Sequence, residues 1–382
     1  MADRIGRIPT SGIRRFFGIA EKMPDVISLC IGEPDFPTPP PITKAGFEAV
    51  YGVRVGYTAN SGLIDLREKL SAHLERLYGV SYQPEGEIVI TVGVSEAVKC
   101  VFTSICNPGD EIIIPEPCFV SYEPEVLFAH GKPVPVPCLA ENDFEPLASQ
   151  IESAITERTK AIFIGFPNNP TGAVLTMENA LEIARLAERH DLLVISDEIY
   201  DQLVYGVEHI CFSSLPGMCD RTVLLGGFSK DYAMPGWRVG YMCANAGLME
   251  AFMKVHQYAV MSAPTISQYA AVAALDIGAP YVDEMRTEYD RRRKLLVSGL
   301  NEIGLECFEP KGAFYAFPSV AATGMNGDEF ADRLLAEKEV AVVPGSGFGI
   351  GGEDHVRIAY CKSYEELEIA LERMGDFVNG IR

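Results

Sequence analysis

Three short apolar runs in the middle of the chain each give way to a polar group of unusual type. Lys160 to Phe166 (KAIFIGF) runs into Pro167 to Gly172 (PNNPTG). Leu192 to Ser196 (LLVIS) runs into Asp197-Glu198-Ile199-Tyr200, and Thr222 to Gly227 (TVLLGG) into Phe228-Ser229-Lys230. Singly, each has a plain reading: PNNPTG as a turn, Asp197 as a helix cap, Lys230 as a solvated loop lysine. Together they specify chemistry. A lysine at the mouth of a buried sheet has its ammonium form disfavoured by desolvation and becomes an imine-forming nucleophile. A buried carboxylate needs a cationic partner, and a pyridinium N–H is one. Gly93-Val94-Ser95 follows a further apolar run and opens a helical stretch, so its free N–H groups and the helix dipole suit a dianion. Arg238, eight residues after Lys230, supplies counter-charge. An aldehyde cofactor with a ring nitrogen, a phenolic oxygen and a phosphate uses every one of these groups. That cofactor is pyridoxal 5′-phosphate (PLP).

The elements that must position these groups are legible from periodicity. Ile88 to Val92, Glu111 to Pro115 and Arg238 to Cys243 are further apolar runs, and Glu178 to His190 is helical. Continuous rather than alternating Ile/Val/Leu runs predict strands buried on both faces. Separated by helices, they predict an α/β fold with a mostly parallel sheet. Ligands in such sheets bind beyond the carboxyl ends of the strands, so Asn169, Asp197 and Lys230 are expected along one edge. The ends of the chain read differently. Ile64 to Tyr78 carries a stripe of Leu66, Leu70, Leu74 and Leu77, and Tyr364 to Val378 one of Leu367, Leu371, Met374 and Phe377. Two long helical stretches around Val282 to Gly304 precede strand-like pieces at Ala313 to Phe317, Val340 to Val343 and Val356 to Tyr360. The expected division is a segment 1–43 packing with the small domain, a large domain 44–280 and a small α+β domain 281–382.

Composition narrows the function class. The 382 residues suffice for about two domains. Lys and Arg number 32 against 53 Asp and Glu, and a net charge of −21 disfavours nucleic-acid partners. The longest stretch without charge or His, Gln257 to Leu275, contains Pro264 and is poor material for a membrane span. No secretory signal is visible, and ten Cys without a CxxC pair read as reduced core residues of a cytoplasmic protein. The six His show no ligand spacing, so no metal is expected. Gly347 to Gly352 satisfies GxGxxG but leads into a strand-like piece, so the dinucleotide context fails; the loop is expected to line the substrate pocket. Arg291-Arg292-Arg293 reads as a solvated helix face.

PNNPTG, then Ser196 to Tyr200 (SDEIY), then Ser229 to Tyr241 (SKDYAMPGWRVGY) resemble the signature of class I aminotransferases, the aspartate-aminotransferase-like fold type I of PLP enzymes. The resemblance extends to IGEPDFPTP (Ile31 to Pro39), GYTANSGLIDLR (Gly56 to Arg67), NPGDEIIIPEPCFVSY (Asn107 to Tyr122), KGAFYAFP (Lys311 to Pro318) and HVRIAY (His355 to Tyr360). It implies a large domain with a seven-stranded, mostly parallel sheet flanked by helices, plus a smaller α+β domain. By position, Lys230 matches the Schiff-base lysine and Asp197 the partner of the ring nitrogen. Tyr200 and Asn169 match donors to the phenolic oxygen, and Arg238 the phosphate arginine. Val94, Ser95 and Ser229 fall at the phosphate end, and Phe119 where an aromatic ring stacks on the cofactor. Tyr57 matches a tyrosine that reaches the phosphate of a neighbouring subunit, which implies a homodimer. Gly32, Asn169 and Arg357 match groups that hold the substrate α-carboxylate. Gly227 departs from the pattern, because many relatives carry a phosphate-binding serine there; Ser229 is the candidate replacement.

The activity implied is transamination between an L-α-amino acid and a 2-oxo acid. Lys230, once displaced from the cofactor, is the base and acid that moves the Cα proton. The segment CFVSYEP (Cys118 to Pro124) and the N-terminal SGIRRFFGIAEKMPDVISL look most like archaeal-type aromatic or broad-specificity members. Some aspartate-specific relatives place a lysine at the position of Ser95, which leaves aspartate as the weaker alternative. A C–S lyase-type reaction on the same scaffold and a PLP-binding regulator without catalysis are the competing classes. The regulator is disfavoured because the resemblance begins within the first thirty residues.

Overall fold

The computed structural model describes residues 3–6, 8, 25–52 and 55–381. Of the expected N-terminal segment, residues 1, 2, 7 and 9–24 lie outside the described residues. After the short strand β1 (Ile27–Ser28) come the seven strands of the main sheet: β2 (Ile88–Thr91), β3 (Glu111–Glu116), β4 (Lys132–Pro137), β5 (Thr159–Gly165), β6 (Leu193–Asp197), β7 (Thr222–Gly227) and β8 (Gly240–Cys243). Their spatial order is β2-β8-β7-β6-β5-β3-β4. Every pair from β4 across to β7 is parallel, and β8 is antiparallel to both its neighbours. The reversal has a local cause. The segment between β7 and β8 contains only the 3₁₀ turn Pro235–Trp237, not the long crossover that a parallel partner requires.

The expectation of strands buried on both faces holds for β2, β3 and β8, whose residues are all buried. Alternate side chains serve opposite layers. Val89, Ile112, Phe163, Ile195, Leu225 and Met242 join Val101, Phe102 and Phe252 on one side. On the other, Ile88 and Ile90 meet Leu66, Leu70 and Leu74, while Ile162 and Val194 meet Ile183 and Leu186. At the edge, β4 carries three prolines, which a central strand does not tolerate. Register then sets the site. Gly165 pairs with Asp197 and Asp197 with Leu225, so β5, β6 and β7 finish at one level. PNNPTG, DEIY and FSK therefore leave from one edge.

Beyond the main sheet, β9 (Tyr315–Ala316), β11 (Val343–Pro344) and β12 (Val356–Ala359) form an antiparallel sheet, while β10 (Val340–Ala341) pairs in parallel with β1. The expected piece Val340 to Val343 thus splits between two sheets. The region around Val282 to Gly304 is one continuous helix, Ala279–Glu302, rather than two stretches. Helices Gly327–Lys338 and Tyr364–Ile381 complete this part of the chain.

The three consecutive arginines do not form a solvated face. Only Arg291 is exposed, whereas Arg292 and Arg293 are buried. A helix turns about 100° per residue, so three successive side chains cannot all face water. Arg292 pairs with Asp35 at 2.8 Å and Glu288 at 2.9 Å, and Arg293 with Glu309 at 2.7 Å and Asp290 at 2.8 Å. All ten cysteines are free; Cys106 is half-buried and Cys219 is exposed, so the reading of all ten as core residues fails at these two positions. Among the described residues, no helix is long and apolar enough to cross a membrane.

Candidate active site

A cavity of about 280 Å³ opens at the common edge of β5, β6 and β7. Lys230 enters it from the loop after β7 and is half-buried. Its Nζ donates to the Gly32 carbonyl at 2.6 Å, with the Tyr200 and Phe314 rings 5.8 and 5.5 Å away. Burial, reinforced by the nearby charges of Arg357 and Arg238, pulls its pKa down to about 8. About a tenth of the lysine is therefore neutral amine at pH 7, the form that attacks a carbonyl carbon, far more than at the ordinary lysine value.

Asp197 is the last residue of β6 and is buried. Its Oδ2 accepts from the Tyr122 hydroxyl at 2.8 Å and its Oδ1 from the Ile199 N–H at 3.2 Å. The plain cap reading thus accounts for one oxygen and leaves the other facing a tyrosine. Burial pushes its pKa up to about 6, opposed by the Tyr122 hydrogen bond, the Ile199 N–H and the Lys230 charge. A carboxylate so placed is stabilised by a cationic partner in the cavity.

Within PNNPTG the two asparagines divide the work. Asn168 is buried, and its Oδ1 accepts from the Thr171 N–H and hydroxyl at 3.1 and 2.8 Å, which holds the turn. Asn169 reaches the cavity, where its Oδ1 accepts from Arg357 Nη1 at 2.9 Å. Arg357 on β12 is 2 % exposed. Its Nη2 donates to the Cys30 carbonyl at 2.6 Å, and its guanidinium lies 4.7 and 5.0 Å from the Tyr315 and Phe348 ring centres. Its Nε is buried with no partner among the described residues. An unsatisfied buried donor on a cation is costly unless a ligand engages the guanidinium. The Tyr200 hydroxyl shares a 2.9 Å hydrogen bond with that of Tyr315.

At the other end, the helix Val94–Ile105 starts after Gly93, whose φ of 74° suits glycine. Val94 and the exposed Ser95 line the cavity from its first turn. A Cβ on Gly93 would stand 3.0 Å from Arg238 Nη2, so the bare glycine leaves room for the guanidinium beside the helix start. Arg238 itself corrects the sequence reading. It precedes β8 instead of opening it, in a left-handed conformation (φ 51°), with Nη1 donating to the Pro235 carbonyl at 3.0 Å. At Gly227 a Cβ would meet Ile199 Cδ1 at 3.0 Å and Gly240 Cα at 3.2 Å, a packing reason for the missing serine. Ser229 is buried and lines the cavity.

Of the residues singled out from sequence, the cavity gathers Gly32, Val94, Ser95, Phe119, Asn169, Asp197, Tyr200, Ser229, Lys230, Arg238 and Arg357. Tyr57 is outside it, on the surface and 86 % exposed. The glycine-rich loop 347–352 is not among the lining residues either; its Phe348 packs behind Arg357 instead. Sequence reading missed Tyr122 and Tyr315. Both sit inside quoted motifs, but nothing in their spacing marks them as reaching Asp197 and Tyr200.

PLP fits this donor set. Lys230 would hold its aldehyde carbon, Asp197 its ring nitrogen, and Tyr200 with Asn169 its phenolic oxygen. The helix start and Arg238, brought together over bare Gly93, would hold its phosphate. The comparisons with known proteins agree with the chemistry. The family model described as aminotransferase class I and II matches residues 24–374. The chain is 45% identical to the aspartate aminotransferase of Pyrococcus abyssi, over 98% of this chain and 97% of that one. It is 42% identical to aromatic-amino-acid aminotransferase 2 of Thermococcus litoralis, again over 98% and 97%. The solved aromatic aminotransferase from Pyrococcus horikoshii OT3 superposes with a TM-score of 0.92 at 43% identity, covering 96% of this chain and 99% of that one.

Proposed function

The chain belongs to the aminotransferase class I and II family, and from that premise we propose that it transfers the amino group of an aromatic or other apolar L-α-amino acid to 2-oxoglutarate. It is a PLP-dependent aminotransferase of fold type I. When bound, the cofactor supplies an aldehyde that captures the amino group and a ring that accepts the electrons of the breaking Cα–H bond. In the proposed assignment, Asp197 keeps a proton at the ring nitrogen, with Tyr122 holding the carboxylate in place. Lys230, freed as an amine, takes the proton from the substrate Cα and returns it on the cofactor side. Arg357 pairs with the substrate α-carboxylate, oriented by Asn169 and the Cys30 carbonyl. A carboxylate held there favours loss of the proton over loss of carbon dioxide. Arg238 and the helix start hold the phosphate.

The observation that carries the donor preference is the lining of the cavity. Val94, Val98, Phe119, Pro167, Ile199 and Pro235 supply apolar walls. The only cations among the described lining residues are Lys230, Arg238 and Arg357, all assigned above. These walls suit a ring or alkyl side chain, whereas a distal carboxylate, whether of a dicarboxylic donor or of 2-oxoglutarate, meets no further cation among the described lining residues. A panel of amino donors with 2-oxoglutarate tests this: phenylalanine and tyrosine should exceed aspartate in kcat/KM, and a preference for aspartate overturns it.

The proposed assembly is a homodimer. Phe47, Tyr51, Tyr57 and Tyr258 are 59, 88, 86 and 88 % exposed. The Thr265 hydroxyl donates to the carbonyl of Gly56, next to Tyr57, at 2.6 Å. Large apolar side chains left this exposed support a protein contact, and Tyr57 is proposed to reach the partner's phosphate end. Sedimentation velocity should give twice the chain mass. We also propose the domain division at about residue 280, supported by the separate sheet β11-β12-β9, and a reducing cytoplasmic location, supported by ten free cysteines.

A further inference from the structure

The segment 56–63, which carries Tyr57, has its backbone held at several points. Gly56 O accepts from Thr265, the Leu63 N–H donates to Gln268 Oε1 at 2.7 Å, and Ser61 O accepts from the Ile90 N–H at 3.0 Å. Gln268 Nε2 also donates to the Thr58 hydroxyl at 3.1 Å and Arg67 Nε to the Gly62 carbonyl at 3.3 Å, and a further tether is ionisable. His256, fully buried on helix Ala246–Ala259, places Nε2 2.8 Å from the Asn60 carbonyl and Nδ1 2.6 Å from Glu96 Oε1. The other Glu96 oxygen accepts the Val92 N–H at 2.6 Å. Glu96 stands in the first turn of the helix whose start lines the cavity beside Arg238.

A backbone carbonyl only accepts hydrogen bonds, and so does a carboxylate. A neutral imidazole has one N–H and satisfies one of these partners, leaving two lone pairs facing each other across the second contact. Only the imidazolium donates to both. We propose that His256 is a positioning residue, held doubly protonated between Glu96 and Asn60, that ties the Tyr57 segment to the helix start at the phosphate end of the cavity. The tether itself follows from hydrogen-bond geometry. Its bearing on catalysis rests on the reading, given above, that Tyr57 completes a partner's site.

The energetics run the same way. Burial by itself lowers the pKa of an imidazole, but the hydrogen bond and charge of Glu96 and the Asn60 carbonyl outweigh it, and the net direction is up. Cys100 Sγ lies 3.7 Å from Glu96 Oε1, and burial pushes its thiol up to about 12, so it stays neutral. A raised histidine pKa gives stability that is complete below the unfolded value of about 6.5 and is lost as pH rises through the higher folded value. The segment therefore loosens as pH rises through that folded value.

The test uses the PLP-loaded enzyme. In ¹⁵N-histidine NMR at pH 7, with His256 assigned by its loss in a variant, both ring nitrogens should carry protons. Two substitutions then separate the two contacts. His256→Gln places its amide nitrogen near Nε2 and keeps a donor for Asn60. His256→Asn places its amide nitrogen near Nδ1 and keeps only the one for Glu96. Amide hydrogen exchange across 56–62 should be at least tenfold faster in His256→Asn than in His256→Gln. A neutral His256 at pH 7, or equal exchange in the two variants, overturns the proposal. Neither readout depends on donor specificity or on turnover, so failure here is distinct from failure of the aminotransferase reading.

Discussion

The Tyr122 hydroxyl donates to Asp197 Oδ2 at 2.8 Å, joining the helix Tyr122–Phe128 to the end of β6 at the floor of the cavity. It is a hydrogen bond to the charged form of a buried carboxyl, so it works against the upward push of burial.

The pH dependence of the apoprotein follows with a definite sign. Asp197 has a folded pKa of about 6, above the ordinary aspartate value of about 3.9. The folded apoprotein therefore holds more protons than the unfolded chain between these values. The stability due to Asp197 is complete below about pH 4 and lost as pH rises through about 6. In Tyr122→Phe the folded pKa rises further and the window extends upward; in Asp197→Asn the dependence disappears. Chemical denaturation of the three apoproteins between pH 4 and 8 measures this.

Arg357→Lys keeps the charge but loses the planar fork that meets Asn169, the Cys30 carbonyl and a substrate carboxylate at once. The expected loss is roughly 2–3 kcal/mol in kcat/KM, similar for every α-amino acid donor and absent for half-reactions with simple amines. A loss confined to dicarboxylic donors would mean that Arg357 reads the side chain.

The arginine run gives a stability contrast. Arg293→Ala removes a buried side chain and its packing, while Asp290 keeps Lys294 at 2.6 Å and Glu309 faces solvent, and should cost roughly 2 kcal/mol. Arg291→Ala removes an exposed pair with Glu288 and should cost under about 1 kcal/mol. Equal denaturation midpoints for the two variants would contradict the burial difference.

Much of this architecture was readable from the chain. Buried strands announce themselves as unbroken apolar runs, and the polar groups that follow them are forced to one edge by parallel register. The helix Ile64–Tyr78 has the same limits in sequence and structure, because a leucine stripe between turn residues leaves little freedom. What was not readable depends on rotation and on partners distant in sequence. Arg292 looks like surface charge until Asp35, more than 250 positions away, folds against the helix, and Arg293 until Glu309 meets it. Tyr122 and Tyr315 acquire their roles only through the side chains they meet. His256 looks like any histidine of an amphipathic helix, because Glu96 and Asn60 reach it from other segments.

The central claim is that the cavity is a PLP site anchored by Lys230, whose lowered pKa of about 8 keeps it reactive near neutral pH. Borohydride reduction of the loaded enzyme followed by peptide mapping tests it most directly. The account predicts stoichiometric cofactor label on the peptide containing Lys230. It also predicts none in Lys230→Ala, together with a fall in turnover of several orders of magnitude. Label on another lysine, or turnover near wild type in Lys230→Ala, would contradict it.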